Sequence, residues 1–201
     1  MASVQAKGSP VARPRLHVLV CSTRPGRKGP AIAKWFHGVS TKHGKFQSVL
    51  VDLAEFGLPV YDEPEHPRLR SYHHTHTRAW SESVDAADAL VFVTPEYNHG
   101  PPPSLLNALN YLYHEWGNKP ASFVSYGGVS AGLRAVQSCK PILNALKMVP
   151  IVENVTIPMF QQHLDEEGKF MPTDLHAGSA KRVLDELYRW TEAMVSLRVA
   201  T

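Results

Sequence analysis

A parallel sheet of five strands with helices on both faces is the fold class this sequence predicts, and three observations carry it. Apolar runs and helical stretches alternate along the chain, the order required by parallel strands joined through crossover helices. The first run, "LHVLVC", is apolar throughout rather than at every second position, which suits a strand buried on both faces. Two of the helical stretches repeat their apolar residues at intervals of three and four, the spacing of one buried helix face.

In order, "LHVLVC" (16 to 21) closes in Ser, Thr, Pro and Gly, and "GPAIAKWFHGV" then resumes as a helix. Pro30 lies near its first turn, where a missing N–H costs little. "FQSVLVDL" (46 to 53) is the second strand, followed by a Pro- and His-rich stretch and a helix near 76 to 87. "ALVFVT" (89 to 94), "ASFVSY" (121 to 126) and "IVENVTI" (151 to 157) complete the five, with helices over about 104 to 116 and 131 to 147. Leu105, Leu109, Leu112 and Trp116 form the stripe of the first of these. A last helix, about 175 to 198, carries Ala180, Val183, Leu187, Trp190, Met194 and Leu197 on one face, to pack on the sheet or on another subunit. Residues 15 to 201 are expected to form one domain, and residues 1 to 14 a mobile arm or a strap over a neighbouring subunit.

With 201 residues, 43% of them hydrophobic and 19% charged, the composition is that of a folded chain with a full-sized core. A net charge of +3 and a pI near 8.9 are too slight and too scattered for a nucleic-acid partner, but suit a small anionic ligand. The opening "MASVQAKGSPVARPRL" has no signal-type apolar run and no later stretch approaches bilayer length, so a cytoplasmic protein without membrane attachment is expected. Cys21 and Cys139 are far apart and form no CxxC, which argues against both a disulfide framework and a zinc knuckle. Both are read as small core residues rather than redox thiols.

Ligands of open parallel sheets bind beyond the carboxyl ends of the strands, so the loops after strands one, three and four should share a crevice. "CSTRPGRKG" (21 to 29) offers the Ser22 hydroxyl, the cations Arg24, Arg27 and Lys28, and flexible backbone at Gly29, where a helix start favours an anion. It reads as a phosphate cup rather than a basic solvated turn. It matches neither GxGxxG nor GxxxxGK[ST], which disfavours a nucleoside triphosphate. In "PEYNHGPPP" (95 to 103), Pro95 and the proline run stiffen the backbone, Tyr97 offers a face for stacking, Asn98 an amide, and Glu96 an anchor or a partner across an interface. In "SYGGVSAG" (125 to 132), Gly127 and Gly128 allow close approach of a ligand to the backbone, and Ser130 is placed to cap the next helix.

These three segments, in this order, resemble the NADPH-dependent FMN reductase family, relatives of the quinone, azo-dye and chromate reductases, over about residues 16 to 160. The PEYN-type loop is the most specific part. The resemblance implies a flavodoxin-like three-layer sandwich with strand order 2-1-3-4-5, FMN at the carboxyl edge, NADPH or NADH as electron donor, a small-molecule acceptor, and a homodimer or homotetramer. It implies that Ser22, Arg24 and the stretch Arg27, Lys28 and Gly29 hold the FMN phosphate. Pro95, Glu96, Tyr97 and Asn98 would line the isoalloxazine, with Ser125, Tyr126, Gly127 and Gly128 along its other edge. Three positions depart from the family pattern: Cys21 where glycine is common, Leu106 where lysine is common and Asn110 where aspartate is common.

If FMN binds, no catalytic side chain is needed, because hydride transfer and electron release belong to the cofactor. The protein orients the rings and offers backbone N–H groups, for which Gly127, Gly128 and the amides around Asn98 are candidates. One face serving donor and acceptor in turn predicts ping-pong kinetics. His73, His74 and His76 have neither Cys nor HExxH nearby, so they are read as a loop and helix start bordering the flavin face, not a metal site. Arg68, Arg70 or Arg78 would then meet the extra phosphate of NADPH. Two further classes stand beside the reductase: an electron carrier, disfavoured by the basic charge, and a hydrolase, for which no nucleophile and base are evident.

Overall fold

The computed structural model describes residues 13–199. Its strands are β1 (Arg15–Val20), β2 (Gln47–Asp52), β3 (Ala89–Pro95), β4 (Pro120–Tyr126), β5 (Val149–Pro150) and β6 (Val155–Ile157). The helices are α1 (Gly29–His43), α2 (Thr75–Asp85), α3 (Pro103–Asn110), α4 (Leu133–Ala145) and α5 (Asp174–Val199). Strand order is β2-β1-β3-β4-β5, with β6 also paired to β4, and every pairing is parallel. This is the predicted three-layer sandwich.

Side-chain alternation divides the core in two. Leu19, Cys21, Leu90 and Phe92 face Trp80 of α2, Leu105 and Leu109 of α3 and Val136 and Leu143 of α4. Val18, Val20, Val91 and Val93 face Ile32 and Phe36 of α1 and Ala180, Val183 and Leu187 of α5. The register aligns the carboxyl ends: Val20 pairs with both Asp52 and Val93, and Pro95 pairs with Tyr126, itself paired with Ile157. The loops after β1, β3, β4 and β6 therefore open on one edge.

Two expected elements are corrected. The helix expected over 104 to 116 ends at Asn110, and a short 3-10 turn, His114–Trp116, follows. Its stripe is still fully buried, but Tyr111 turns inward and its hydroxyl donates to Pro59 O at 3.0 Å and Asp62 Oδ1 at 2.9 Å, a tertiary anchor that overrides helical continuation. Of the strand expected over 151 to 157 only its end forms, as β6, while the edge strand β5 lies before the expected range. Between them, side chains replace ladder bonds: Phe123 N donates to Asn154 Oδ1 at 3.2 Å and Ser122 Oγ to Glu153 O at 2.7 Å. The arm expected over 1 to 14 falls, for residues 1–12, outside the described residues.

The final helix obeys its predicted face only in part. Ala180, Val183 and Leu187 are fully buried, whereas Met194 is half-buried and Trp190 is 37% and Leu197 51% exposed. Among the described residues no helix is long and apolar enough to cross a membrane.

Candidate functional site

At the carboxyl edge the three loops converge on a cleft of about 140 Å³. Arg24, Arg27 and Lys28 line it from the loop after β1, Pro95, Glu96 and Tyr97 from the loop after β3, and Tyr126, Gly127 and Gly128 from the end of β4. Ser22 and Gly29, both buried, pack against Tyr126 beside it. A Cβ on Gly29 would lie 2.7 Å from Ser22 Oγ and 2.9 Å from Tyr126 Oη, so only glycine lets α1 begin this close to the sheet. Ser22 Oγ and Tyr126 Oη are 3.4 Å apart, and burial pushes the Tyr126 phenol up, which keeps it a proton donor.

The start of α1 carries no negative charge. It has no side-chain cap and no acid in its first turn; Pro30 has no N–H and Ala31 N donates to Lys28 O at 3.2 Å, which leaves the Gly29 N–H and the positive end of the helix dipole there. The three cations play different parts. Arg27 forks onto Asp52, Nη1 to Oδ1 at 2.7 Å and Nη2 to Oδ2 at 2.6 Å, and also donates to Ser22 O. Its charge is balanced, and it shapes the cup by tying loop to strand. Arg24 is exposed, with Nε donating to Tyr97 Oη at 3.2 Å across the cleft mouth, and Lys28 precedes the first turn of α1.

The loop after β3 is a tight turn. Tyr97 and Gly100 exchange both backbone hydrogen bonds at 2.9 Å, with Asn98 at φ 49° and His99 at φ 70°. Two left-handed residues in succession define a primed turn, and Asn tolerates that region better than most residues. Glu96 does not compete for the cleft: its Oε1 accepts from Ser130 Oγ at 3.0 Å and Arg134 Nε at 2.6 Å, and its Oε2 from Arg134 N at 3.1 Å. Burial alone would raise this carboxyl, but those hydrogen bonds outweigh it and hold the group below the usual carboxylate range. Ser130, expected to cap α4, therefore serves Glu96 instead, and Glu96 supplies the cap from another loop.

Four of the predicted residues are not in the cleft lining: Ser22 and Gly29, packed against Tyr126, and two that stand further off. Asn98 lines an adjoining groove with His99, Val129 and Arg134, and Ser125 is fully buried in β4 with its Oγ unpartnered. Gly127 N–H, expected to serve the ligand, donates to Ile157 O at 3.2 Å, because β6 continues the ladder past β4. Phe160, which the sequence did not single out, forms a further wall. Its N–H donates to Gly127 O at 3.1 Å and its ring lies 5.3 Å from that of Tyr126. Asp52 was also missed; a lone acid ending the second strand, level with a basic loop, is the signal that could have found it.

The Pro- and His-rich stretch does not border the cleft. His76 Nε2 meets Asp62 Oδ1 at 3.1 Å, Glu63 accepts from the N–H groups of His73 and His74 at 2.7 Å and 3.0 Å, and no metal-holding group occurs among the described residues. Arg70 pairs with Asp85 and Glu115, at the end of α2 where the chain enters β3, which is the opposite edge of the sheet. Arg68 lies 4.5 Å from the Tyr113 ring and Arg78 donates to the carbonyls of Tyr72 and His73 at 3.0 Å. None of the three arginines lines the cleft. Burial raises both thiols, Cys139 to about 12, consistent with core residues.

Comparison with known proteins agrees with this geometry. The family model described as NADPH-dependent FMN reductase matches residues 14–162. An NAD(P)H-dependent FMN reductase of Schizosaccharomyces pombe is 36% identical over 187 residues, covering 90% of this chain and 92% of that protein. One from Saccharomyces cerevisiae is 36% identical over 142 residues, 61% of this chain and 73% of that protein. Among solved structures, the flavoenzyme NAD(P)H:(acceptor) oxidoreductase FerB from Paracoccus denitrificans superposes with a TM-score of 0.69 at 21% identity, covering 90% of this chain and 98% of that one, and so shares the fold. The phosphate cup, the PEYN loop and the paired glycines thus stand in a chain that belongs to the NADPH-dependent FMN reductase family, enzymes that use FMN and NAD(P)H.

Proposed function

We propose that this enzyme serves NADPH and a small quinone-type acceptor in turn at one open cleft, by a ping-pong mechanism, with residues 15 to 201 as one FMN-binding unit. The observation that carries the reading is the convergence of the uncapped α1 start, Arg24 and Lys28 with Tyr97 and Gly128 in a single cleft. Arg24, Lys28 and the Gly29 N–H at the start of α1 fit a phosphate, Ser22 and Tyr126 supply hydroxyls beside it, and Gly29 lets the helix start pack close to them. Pro95, Tyr97, Gly128 and Phe160 fit a flat ring. FMN held there would supply the redox chemistry, hydride acceptance from a nicotinamide and two-electron transfer to an acceptor. The chain positions: the primed turn fixes Tyr97, Arg24 bridges to it, and Gly128 offers an N–H that makes no hydrogen bond among the described residues.

We place the enzyme in the cytoplasm, and as a homodimer or homotetramer, since Trp190 and Leu197 leave an exposed apolar stripe on one face of α5 that suits a subunit contact. Anaerobic titration with NADPH followed by a quinone panel tests the mechanism. Stoichiometric bleaching of the flavin by NADPH alone, and parallel double-reciprocal plots against acceptor, are expected. No bleaching by NADPH, with reduction only by a protein partner, would instead support an electron carrier.

A further inference from the structure

Glu96 sits inside the family's most specific loop, yet its carboxylate turns away from the cleft. Its side chain is 6% exposed and accepts three hydrogen bonds from one segment: Ser130 Oγ at 3.0 Å, Arg134 Nε at 2.6 Å and Arg134 N at 3.1 Å, with Arg134 Nη2 also in contact. The next residue, Tyr97, faces the other way, as neighbours in extended backbone do, and reaches Arg24 over the cleft mouth at 3.2 Å. The loop after β3 is therefore held from both sides, by Arg24 through Tyr97 and by α4 through Glu96.

That second tie has a specific consequence. Gly127 and Gly128 lie between β4 and Ser130, so the same short segment that receives Glu96 carries the backbone on the far side of the cleft. Gly128 O is in turn fixed by Ala131 N at 3.2 Å and Met159 N at 2.9 Å. The contacts of Glu96 with Ser130 and Arg134 thus tie the Tyr97 side of the cleft to the Gly128 side.

We propose that Glu96 and Arg134 are positioning residues: their ion pair sets the width of the slot between Tyr97 and Gly128 that receives the planar ring, without contacting the ligand. The inference rests on the cleft being the flavin site. It assigns to Arg134, which the sequence reading left without a role, a share in ring binding. The pair acts at the ring end of the cleft and not at the phosphate cup, so it governs FMN and riboflavin alike.

The test is fluorescence titration of the apo full chain with FMN and with riboflavin, for Glu96→Gln, Glu96→Ala, Arg134→Ala, Arg134→Lys and the Glu96→Ala/Arg134→Ala double variant. Each alanine variant should weaken both flavins about tenfold, the scale of a lost charge-assisted hydrogen bond. The double variant should be no weaker than the worse single one, and Arg134→Lys should recover part of the loss. The ratio of FMN to riboflavin affinity should stay at the wild-type value, which a change at the phosphate cup would not allow. Additive losses, or a loss with Glu96→Ala and none with Arg134→Ala, would overturn the proposal, because Glu96 would then act on the ligand directly. Should Glu96→Ala fail to fold, Glu96→Gln, which keeps the shape and removes the charge, decides by the same criterion. Wild type taking up no FMN would refute the flavin site itself. Wild type binding FMN with variants indistinguishable from it would refute only the role of the pair.

Discussion

Arg27 and Asp52 join the loop after β1 to the end of β2 by a two-pronged ion pair, with side chains each 19% exposed and the closer contact at 2.6 Å. Arg27 lines the cleft, but Asp52, which balances its charge, does not. Asp52→Asn should therefore lower stability by about 1–3 kcal/mol, the range for a charge-assisted hydrogen bond left half made, and weaken FMN only modestly. Urea unfolding measures the first and flavin titration the second; a large loss of affinity at unchanged stability would mean that Asp52 contacts the ligand.

Arg24 and Arg70 should separate cleanly. Arg24 is exposed and reaches over the cleft, so Arg24→Ala should weaken FMN about tenfold with little change in stability. Arg70 covers the fully buried Glu115 at the opposite sheet edge, so Arg70→Ala should cost about 1–2 kcal/mol of stability and leave FMN affinity unchanged. Equal effects of the two on FMN retention would contradict the placement of the site.

Gly29→Ala should close the cup. Its Cβ would meet Ser22 Oγ at 2.7 Å and Tyr126 Oη at 2.9 Å, which forces α1 outward or the tyrosine aside. FMN affinity should fall at least about tenfold while the fold survives, as circular dichroism can verify, because overpacking of one methyl costs about 1–3 kcal/mol. Wild-type affinity in this variant would show that the packing there is looser than these distances require.

The acid limb of stability should carry a histidine signature. His17 is 5% exposed in β1, and burial, with help from Arg15 and Lys119, pushes its imidazole from 6.5 down to about 4 against the pull of Asp88. Above about pH 6.5 it is neutral folded and unfolded and contributes no pH dependence. Between about 6.5 and 4 only the unfolded chain takes the proton, so stability falls with pH across that window, by about 3 kcal/mol in all. His17→Gln should flatten this limb in denaturant melts; an unchanged slope would show that the ring is protonated in the native state.

The strands, their parallel pairing and the three converging loops were legible because apolar runs and turn residues are local signals, while the strand order came from the family resemblance. The break between β5 and β6 was not legible, since it depends on Asn154 and Glu153 finding Phe123 N and Ser122 Oγ across the sheet. The end of α3 at Asn110 likewise depends on Tyr111 reaching Asp62. At the site, residue types announced a basic cup and a rigid aromatic loop, and nine of the thirteen expected residues line one cleft. What each cation does was hidden, because the pairing of Arg27 with Asp52 and of Glu96 with Arg134 joins residues far apart in the chain. Arg70 shows the converse hazard: charge near a loop suggested a ligand, and a buried Glu115 claimed it.

Calorimetric titration of FMN and of riboflavin into the apo form tests most directly whether this rim grips a phosphorylated ring. One site per chain is predicted, with FMN bound at least about tenfold tighter than riboflavin through Arg24, Lys28 and the start of α1. No heat on adding FMN, or equal affinity for the two flavins, would contradict it.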